Sequence, residues 1–219
     1  MISKILKTKI EDYWKNLKRE SPLYQKILAG DASSEEISQL IANTKFLITY
    51  TPTHLQMAIN ESAQVSNIPE LQPYFKEHFE VEVDHDKWAE DDINLIRNMG
   101  KPVRESIVPS MRKLVDNIEN IIRKDVVLYL SYILWAEYLC VVAASDLAHD
   151  CESKCQIPRE ALSVFTKHAE LDQEHCGDDS IILDSITENY PHYSAKLVDV
   201  LDQTCHIYSD IWKEIAKAA

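Results

Sequence analysis

The most apolar stretch of the sequence is VVLYLSYILWAEYLCVVAA, at residues 126–144. Its length is close to that of a membrane-spanning helix, which needs about 20 predominantly apolar residues. Glu137 interrupts the stretch in its middle. A membrane span typically has a cluster of basic residues at its cytoplasmic end, and no such cluster follows this stretch. We therefore interpret the stretch as the buried central helix of a soluble, all-α protein.

The sequence on either side predicts further helices. Residues 2–18 have apolar residues at helical period and are typical of an amphipathic helix rather than a signal peptide. Gly30 is expected to close a short second helix. Ser33 and Glu36 form a capping box that opens a long helix, which Pro52 should kink. Later helices are expected at about residues 70–99, with a bend near Asp84, and at 103–123, 125–149, 158–187 and 191–217.

The composition fits a single domain that spans residues 1–219 as a bundle of seven or eight helices. The chain has only 3 glycines and 8 prolines, too few for the many tight turns of a β-rich fold. Its 219 residues suit one domain, and no repeat or long linker divides them.

Charge and cysteine content restrict the partners and the compartment. A formal net charge of −13 repels phosphate backbones and anionic lipids, so we expect neither nucleic acid nor a membrane surface as a partner. The five cysteines are an odd number and do not form a disulfide framework. Free thiols favour the reducing cytoplasm.

Two segments, HFEVEVDH at 78–85 and HAELDQEH at 168–175, each carry imidazole, carboxylate and imidazole groups at the same spacing. On a helix, positions i, i+4 and i+7 fall within about 60° of one another and form one stripe. A random-order chain of this composition would contain about 0.05 matches to the pattern, so two matches favour a metal site. The residues of the stripes are His78, Glu82, His85, His168, Asp172 and His175.

Glu137 is the third element of the predicted site. A carboxylate at the centre of the most apolar helix is costly unless it is paired or bound to a metal. Alone, it would more often be satisfied by hydroxyl or ring groups of its neighbours. With two imidazole–carboxylate stripes elsewhere in the chain, metal binding is favoured.

A mixed set of imidazoles and carboxylates without thiolate suits iron, or alternatively manganese, better than structural zinc. Six ligands are too many for one ion that must also bind a substrate, but they suit two ions that share a bridging carboxylate. The six predicted metal ligands are Glu82, His85, Glu137, His168, Asp172 and His175.

At these residues the chain resembles the haem-oxygenase-like di-iron oxidases, a superfamily that also contains pyrroloquinoline-quinone synthase, TenA-type thiaminases and self-consuming aminobenzoate synthases. Glu82 and His85 match its Glu-x2-His element, Glu137 its lone central Glu, and residues 168–175 its His-x3-Asp-x2-His element. The resemblance covers roughly residues 20–180 and implies the haem-oxygenase-like fold.

The resemblance also implies the arrangement and the chemistry of the metals. One iron would bind His85, Glu137 and His168, and the other Glu82, Asp172 and His175, with Glu137 able to bridge. Two Fe2+/Fe3+ ions would use O2 to oxidise a small molecule such as an amino acid, an amine or a fatty acid. N-oxygenation, desaturation and oxidative C–C cleavage are the implied reactions. A homodimer is implied as well, while no motif specifies an electron donor.

Several residues near the predicted site have open roles. Tyr24 matches a tyrosine of the self-consuming synthases, but Leu147 stands where those enzymes need a lysine, which argues against that activity. The candidates for the substrate pocket are Tyr24 and two residues that flank Pro52, Tyr50 and His54. His78 is interpreted as a partner of the ligands, with a direct ligand or a core histidine as alternatives.

Three other functions are compatible with the sequence. A metal-independent, thiaminase-like enzyme on the same fold would use Cys140 as its nucleophile. A ferritin-like metal-binding bundle would recruit Glu61 beside the later ligands and would leave His168 without a role. A helical interaction module with coincidental histidines is the third alternative.

Overall fold

A computed structural model describes residues 1–218, with every side chain among them except that of Glu174, and all regular elements in this part of the chain are helical. Short 3₁₀ turns at Val126–Leu128 and Arg159–Leu162 precede the seventh and eighth α-helices. The all-α prediction is confirmed. The α-helices are α1 (Ile2–Glu20), α2 (Pro22–Ala29), α3 (Ser34–Ser62), α4 (Leu71–Val81), α5 (Asp86–Asn98), α6 (Pro109–Lys124), α7 (Tyr129–Cys155), α8 (Ser163–Asn189) and α9 (Tyr193–Lys217).

The described residues form nine α-helices, where seven or eight were predicted, because residues 70–99 are not one helix. Asp84 has φ 73°, a left-handed conformation that ends the helical hydrogen-bond series between α4 and α5. Aspartate is one of the few L-residues that adopt this conformation routinely. As a result Glu82 follows the last residue of α4, and His85 precedes the first residue of α5.

The segment before α6 also differs from its prediction. Residues 103–108 are not helical; they run along α3, which satisfies their backbone. Ser38 Oγ accepts from the backbone N–H of Arg104 at 2.9 Å, and Asn43 Oδ1 accepts from that of Val108 at 3.0 Å. Side chains thus replace the intrahelical bonds, and α6 begins at Pro109, a favourable residue for a first turn.

The predicted helix ends around Gly30 and Ser33 are confirmed. Gly30 closes α2 with φ 78°. Ser33 accepts from the backbone N–H of Glu36, while the Glu36 carboxylate accepts from that of Ser33, so both halves of the capping box are present. Pro52 lies inside α3, which continues to Ser62.

The apolar stretch at residues 126–144 lies in the core of the bundle. Residues 126–155 are long and apolar enough to cross a membrane by length and composition, but most of the segment is buried inside the protein. Helix α7 packs against α8 along its length and against α1 and α9. The prediction of a buried central helix is confirmed, and Glu137 lies among its buried residues.

Candidate metal centre

The predicted ligands converge from three parts of the chain: the break between α4 and α5, the middle of α7 and the first half of α8. The start of α8 is fixed from α5. The buried Asp92 carboxylate accepts from the backbone N–H of Ser163 at 3.0 Å and of Val164 at 2.8 Å. Because a carboxylate at a helix N-terminus satisfies otherwise unpaired N–H groups, this contact stabilises α8 one turn before His168.

The first group of ligand atoms comes from Glu82, His85 and His168. One ligand atom from each lies within 4.8 Å of the other two. His168 Nδ1 lies 2.6 Å from the Val164 carbonyl oxygen, so Nδ1 carries the proton and Nε2 is left as the ligand atom. The Trp88 ring stacks on the His85 ring at 4.2 Å and meets His168 edge-on at 5.2 Å, which fixes both imidazoles.

The second group comes from Glu82, Glu137 and His175, again with one ligand atom from each within 4.8 Å of the others. Glu82 belongs to both groups and can therefore join the two ion positions. The resemblance implied Glu137 as the bridge, beside His85 and His168. The side chains bring Glu82 to those two histidines instead.

Asp172 approaches the second group less closely. Its Oδ1 lies 3.9 Å from His175 Nδ1. Burial and the nearby negative charge of Glu82 raise the pKa of Asp172 to about 8, so without an ion this carboxyl is largely protonated at neutral pH. A cation beside it would restore the ionised form, because an opposite charge favours ionisation.

The protonation of the other ligands follows from their surroundings. Burial raises the pKa of Glu137 well above its usual value. Burial acts in the same direction on Glu82, but the His85 imidazole, whose Nδ1 lies 3.4 Å from the Glu82 carboxylate, outweighs burial and lowers the pKa of Glu82. Burial lowers the pKa of His168, which favours the neutral imidazole that a metal ion requires.

The cluster contains buried polar atoms that have no hydrogen-bond partner among the described residues. Each such atom costs about 1–3 kcal/mol unless something else satisfies it. Cations held by the two groups would satisfy the unpartnered atoms of His85, Glu137 and His175, and the nitrogen–oxygen donor set is the one that iron and manganese accept. The residues therefore fit two such ions. The unpartnered atoms are His78 Nε2, His85 Nδ1, Glu137 Oε2, His175 Nδ1 and Asp179 Oδ2.

Two residues of the cluster, His78 and Asp179, extend the predicted set. His78 Nε2 lies 3.3 Å from Glu137 Oε1 and 3.6 Å from Asp179 Oδ1. Sequence analysis left His78 in an open role and missed Asp179. The signal for Asp179 was its spacing, because it follows His175 by four residues and continues the stripe of α8.

A cavity of about 150 Å³ adjoins the cluster. Its wall is mostly apolar and includes Thr51 and Leu55 of α3 but, among the described residues, neither Tyr50 nor His54. Each helical residue turns by about 100°, so the neighbours of Thr51 and Leu55 face elsewhere. Tyr24 also lies off the wall: its hydroxyl donates to Asp150 Oδ2 at 2.7 Å.

His54 is instead a buried core histidine, and its burial predicts an effect of pH on stability. Burial lowers the pKa of His54 to about 4, so the folded protein keeps the ring neutral after the unfolded chain has bound a proton. The effect of His54 on the free energy of unfolding is absent above the pKa that His54 has in the unfolded chain, about 6.5. Below that pH the free energy of unfolding falls. Between pH 7 and pH 5 the loss from His54 should be about 2 kcal/mol.

Urea unfolding of the metal-free protein at the two pH values measures this loss. His54→Phe keeps a ring against Tyr50 and should lose about 2 kcal/mol less than wild type between pH 7 and pH 5. His149→Phe, at an exposed position, should behave as wild type. Equal pH dependence in wild type and His54→Phe would contradict the assignment.

Comparison with solved structures gives the fold its name. A domain of unknown function with a haem-oxygenase-like fold from Shewanella denitrificans OS217 matches with a TM-score of 0.78 and 18% identity, over 96% of this chain and 92% of that one. A TenA homologue from Pyrococcus furiosus matches with a TM-score of 0.74 and 13% identity, over 99% and 100% of the chains.

A CADD-like protein of unknown function from Nostoc punctiforme PCC 73102 matches with a TM-score of 0.69 and 14% identity, over 99% of this chain and 98% of that one. No protein-family model matches the sequence, and no curated protein does. At these identities the likeness establishes the fold alone. The predicted haem-oxygenase-like fold is confirmed.

Proposed function

We propose that this haem-oxygenase-like chain is a non-haem di-iron oxidase or oxygenase that uses O2 to oxidise a small organic molecule. The observation that carries the proposal is the pair of ligand groups that share Glu82 beside an apolar cavity. Glu82, His85 and His168 would hold one ion, and Glu82, Glu137 and His175 the other, with Asp172 close to the second. When bound, the two irons supply the electrons and the open coordination positions that O2 requires.

The protein's own residues would position the ligands and exclude water. Trp88 restrains His85 and His168 through ring contacts, and the Val164 carbonyl holds the proton of His168 at Nδ1. Side chains such as Leu139 and Phe165 make the cavity wall apolar. An apolar, water-poor site protects a reactive oxidant from side reactions.

The cavity favours the apolar part of an amino acid, amine or fatty acid as the group that is oxidised. A cavity of about 150 Å³ has room for a ring the size of benzene. Among the described residues, the wall contains no lysine or arginine. A substrate carboxylate would therefore have to be neutralised by the ions.

Metal loading tests the proposal directly. The full chain would be loaded with Fe2+ without oxygen, freed of excess metal and analysed for iron per chain, and O2 would then be added while the visible spectrum is recorded. We expect about two irons per chain and a new ferric absorption. His168→Ala should retain at most one ion, because it removes one of three ligands in the first group. No bound iron in wild type would refute the proposal.

A thiaminase-like activity is the second candidate, because Cys140 lines the cavity and one structural neighbour is a TenA homologue. Burial raises the pKa of the Cys140 thiol well above its usual value, as does the neighbouring Asp172, which makes it a weak nucleophile without further activation. Hydrolysis of thiamine by the metal-free chain, lost in Cys140→Ser, would favour this candidate over the first.

We further propose a cytoplasmic location, which the thiols support. All five cysteines are free, including Cys151 and Cys155, which lie one turn apart on α7. Free thiols persist in a reducing compartment.

A further inference from the structure

Beside the second ligand group lies another set of potential ligands: His78 of α4, Glu137 of α7 and Asp179 of α8. One ligand atom from each lies within 4.8 Å of the other two. All three side chains are buried, with exposed fractions of 7% for His78, 7% for Glu137 and 1% for Asp179. Neither ion of the proposed function needs His78 or Asp179.

Each of the three residues has a buried ligand atom without a hydrogen-bond partner among the described residues. His78 Nδ1 lies 3.2 Å from the Tyr74 carbonyl oxygen, which can only accept, so Nδ1 carries a proton and Nε2 is the ring atom that faces Glu137 and Asp179. The Tyr74 hydroxyl donates to Asp179 Oδ1 at 2.5 Å, which leaves Oδ2 without a partner. Glu137 Oε2 is likewise buried and unpaired.

Tyr74 thus holds two of the three ligands in place. Its ring also packs against His78, with the ring centres 4.2 Å apart. This arrangement matches a general feature of metal sites, in which the second nitrogen of a histidine ligand and the second oxygen of a carboxylate ligand are fixed by neighbouring groups.

A protonated His78 between the two carboxylates is the competing explanation, because without an ion Asp179 and Glu137 outweigh the effect of burial and raise the pKa of His78 to about 10. It would neutralise part of the charge, but Nε2 lies 3.3 Å from Glu137 and 3.6 Å from Asp179 without a well-aligned hydrogen bond to either. The free oxygens of Glu137 and Asp179 would remain unsatisfied as well. A cation at the centre of the group would satisfy all three atoms.

We propose that His78, Glu137 and Asp179 form a third cation site, which takes a divalent transition metal and shares Glu137 with the second iron position. The inference rests on the proposed function only in that Glu137 also serves the second ion. A nitrogen–oxygen set of this kind accepts Mn2+, Fe2+ or Zn2+.

The charges predict that the third site fills last. Four carboxylates in the cluster can balance two divalent ions, those of Glu82, Glu137, Asp172 and Asp179. A third ion would add two positive charges without a further carboxylate to oppose them, and repulsion between like charges in a buried site is strong. The third ion should therefore bind more weakly than the other two.

A titration of the full chain with Mn2+ tests this site, because electron paramagnetic resonance counts the ions that remain free. Wild type should bind two equivalents tightly and a third more weakly. Asp179→Asn keeps an oxygen for the Tyr74 hydroxyl but removes the anionic ligand, and it should lose the third equivalent alone. His78→Gln should do the same, and the exposed Asp178→Asn should retain all three.

The outcomes separate this site from the proposed function. Saturation of wild type at two equivalents, or a third equivalent that persists in both Asp179→Asn and His78→Gln, would overturn the third site and leave the di-iron proposal intact. The opposite result is a single bound ion that is lost in Asp179→Asn and retained in His168→Ala. That result would support the third site and refute the proposed di-iron centre.

Discussion

Glu82→Gln is expected to remove both tightly bound irons, the largest effect on metal content that any single ligand should produce. Glu82 contributes to both ligand groups, whereas His85 and His168 serve only the first and His175 only the second. Loss of a neighbour that merely orients a ligand typically weakens metal binding by about 10–100-fold, so loss of the shared anionic ligand should exceed about 100-fold for each ion. Iron per chain after anaerobic loading and desalting measures the effect.

Two further variants make this experiment decisive about the bridging residue. Glu80 lies two residues earlier, at an exposed position of α4, and Glu80→Gln should retain two irons. Glu137→Gln should lose the second iron and keep the first. The opposite pattern, with both ions lost in Glu137→Gln and one kept in Glu82→Gln, would favour Glu137 as the bridge, as the family resemblance implied.

Trp212→Ala is expected to lower the free energy of unfolding by about 3–5 kcal/mol, the range for truncation of a large buried aromatic side chain. Trp212 is 1% exposed and lies where α9 meets α1 and α2. Its ring centre lies 6.4 Å from that of Trp14, 5.9 Å from Tyr24 and 6.4 Å from Tyr208. Since whole domains are stable by only about 5–15 kcal/mol, this loss is a large share of the total.

Urea unfolding of the metal-free protein at neutral pH measures the effect of Trp212→Ala without a contribution from bound ions. Trp212→Phe is the matched control: it keeps an aromatic ring in the cluster and should cost only about 1–2 kcal/mol. A loss below about 1 kcal/mol in Trp212→Ala would mean that α9 does not depend on this cluster for its packing.

The helices could be predicted from the sequence because their signals are local. Apolar periodicity, the Ser33–Glu36 capping box and Gly30 act over a few residues, and the structure follows each of them. The break at Asp84 was predicted only as a bend, because aspartate tolerates a left-handed conformation without requiring it.

The contacts of the site were harder to predict, because they depend on how each helix is rotated against its neighbours. The spacing of the stripes identified which side chains share a face, and the structure brings those of Glu82, His85 and His168 together. The spacing could not predict whether Glu82 or Glu137 is shared by the two groups of ligands. Nor could it tell that Thr51, rather than Tyr50, faces the cavity.

The break at Asp84 has a consequence for how the protein would respond to iron. Glu82 and His85 belong to the connection between two helices, so no continuous helix fixes the angle between α4 and α5. An ion bound to both residues and to His168 would link this connection to α8. A ligand that binds only the ordered form of a segment stabilises that form. Local opening of the connection between α4 and α5 would therefore become rarer as iron binds. The cavity in which oxidation is proposed to occur would then be more rigid in the iron-bound protein than in the metal-free protein.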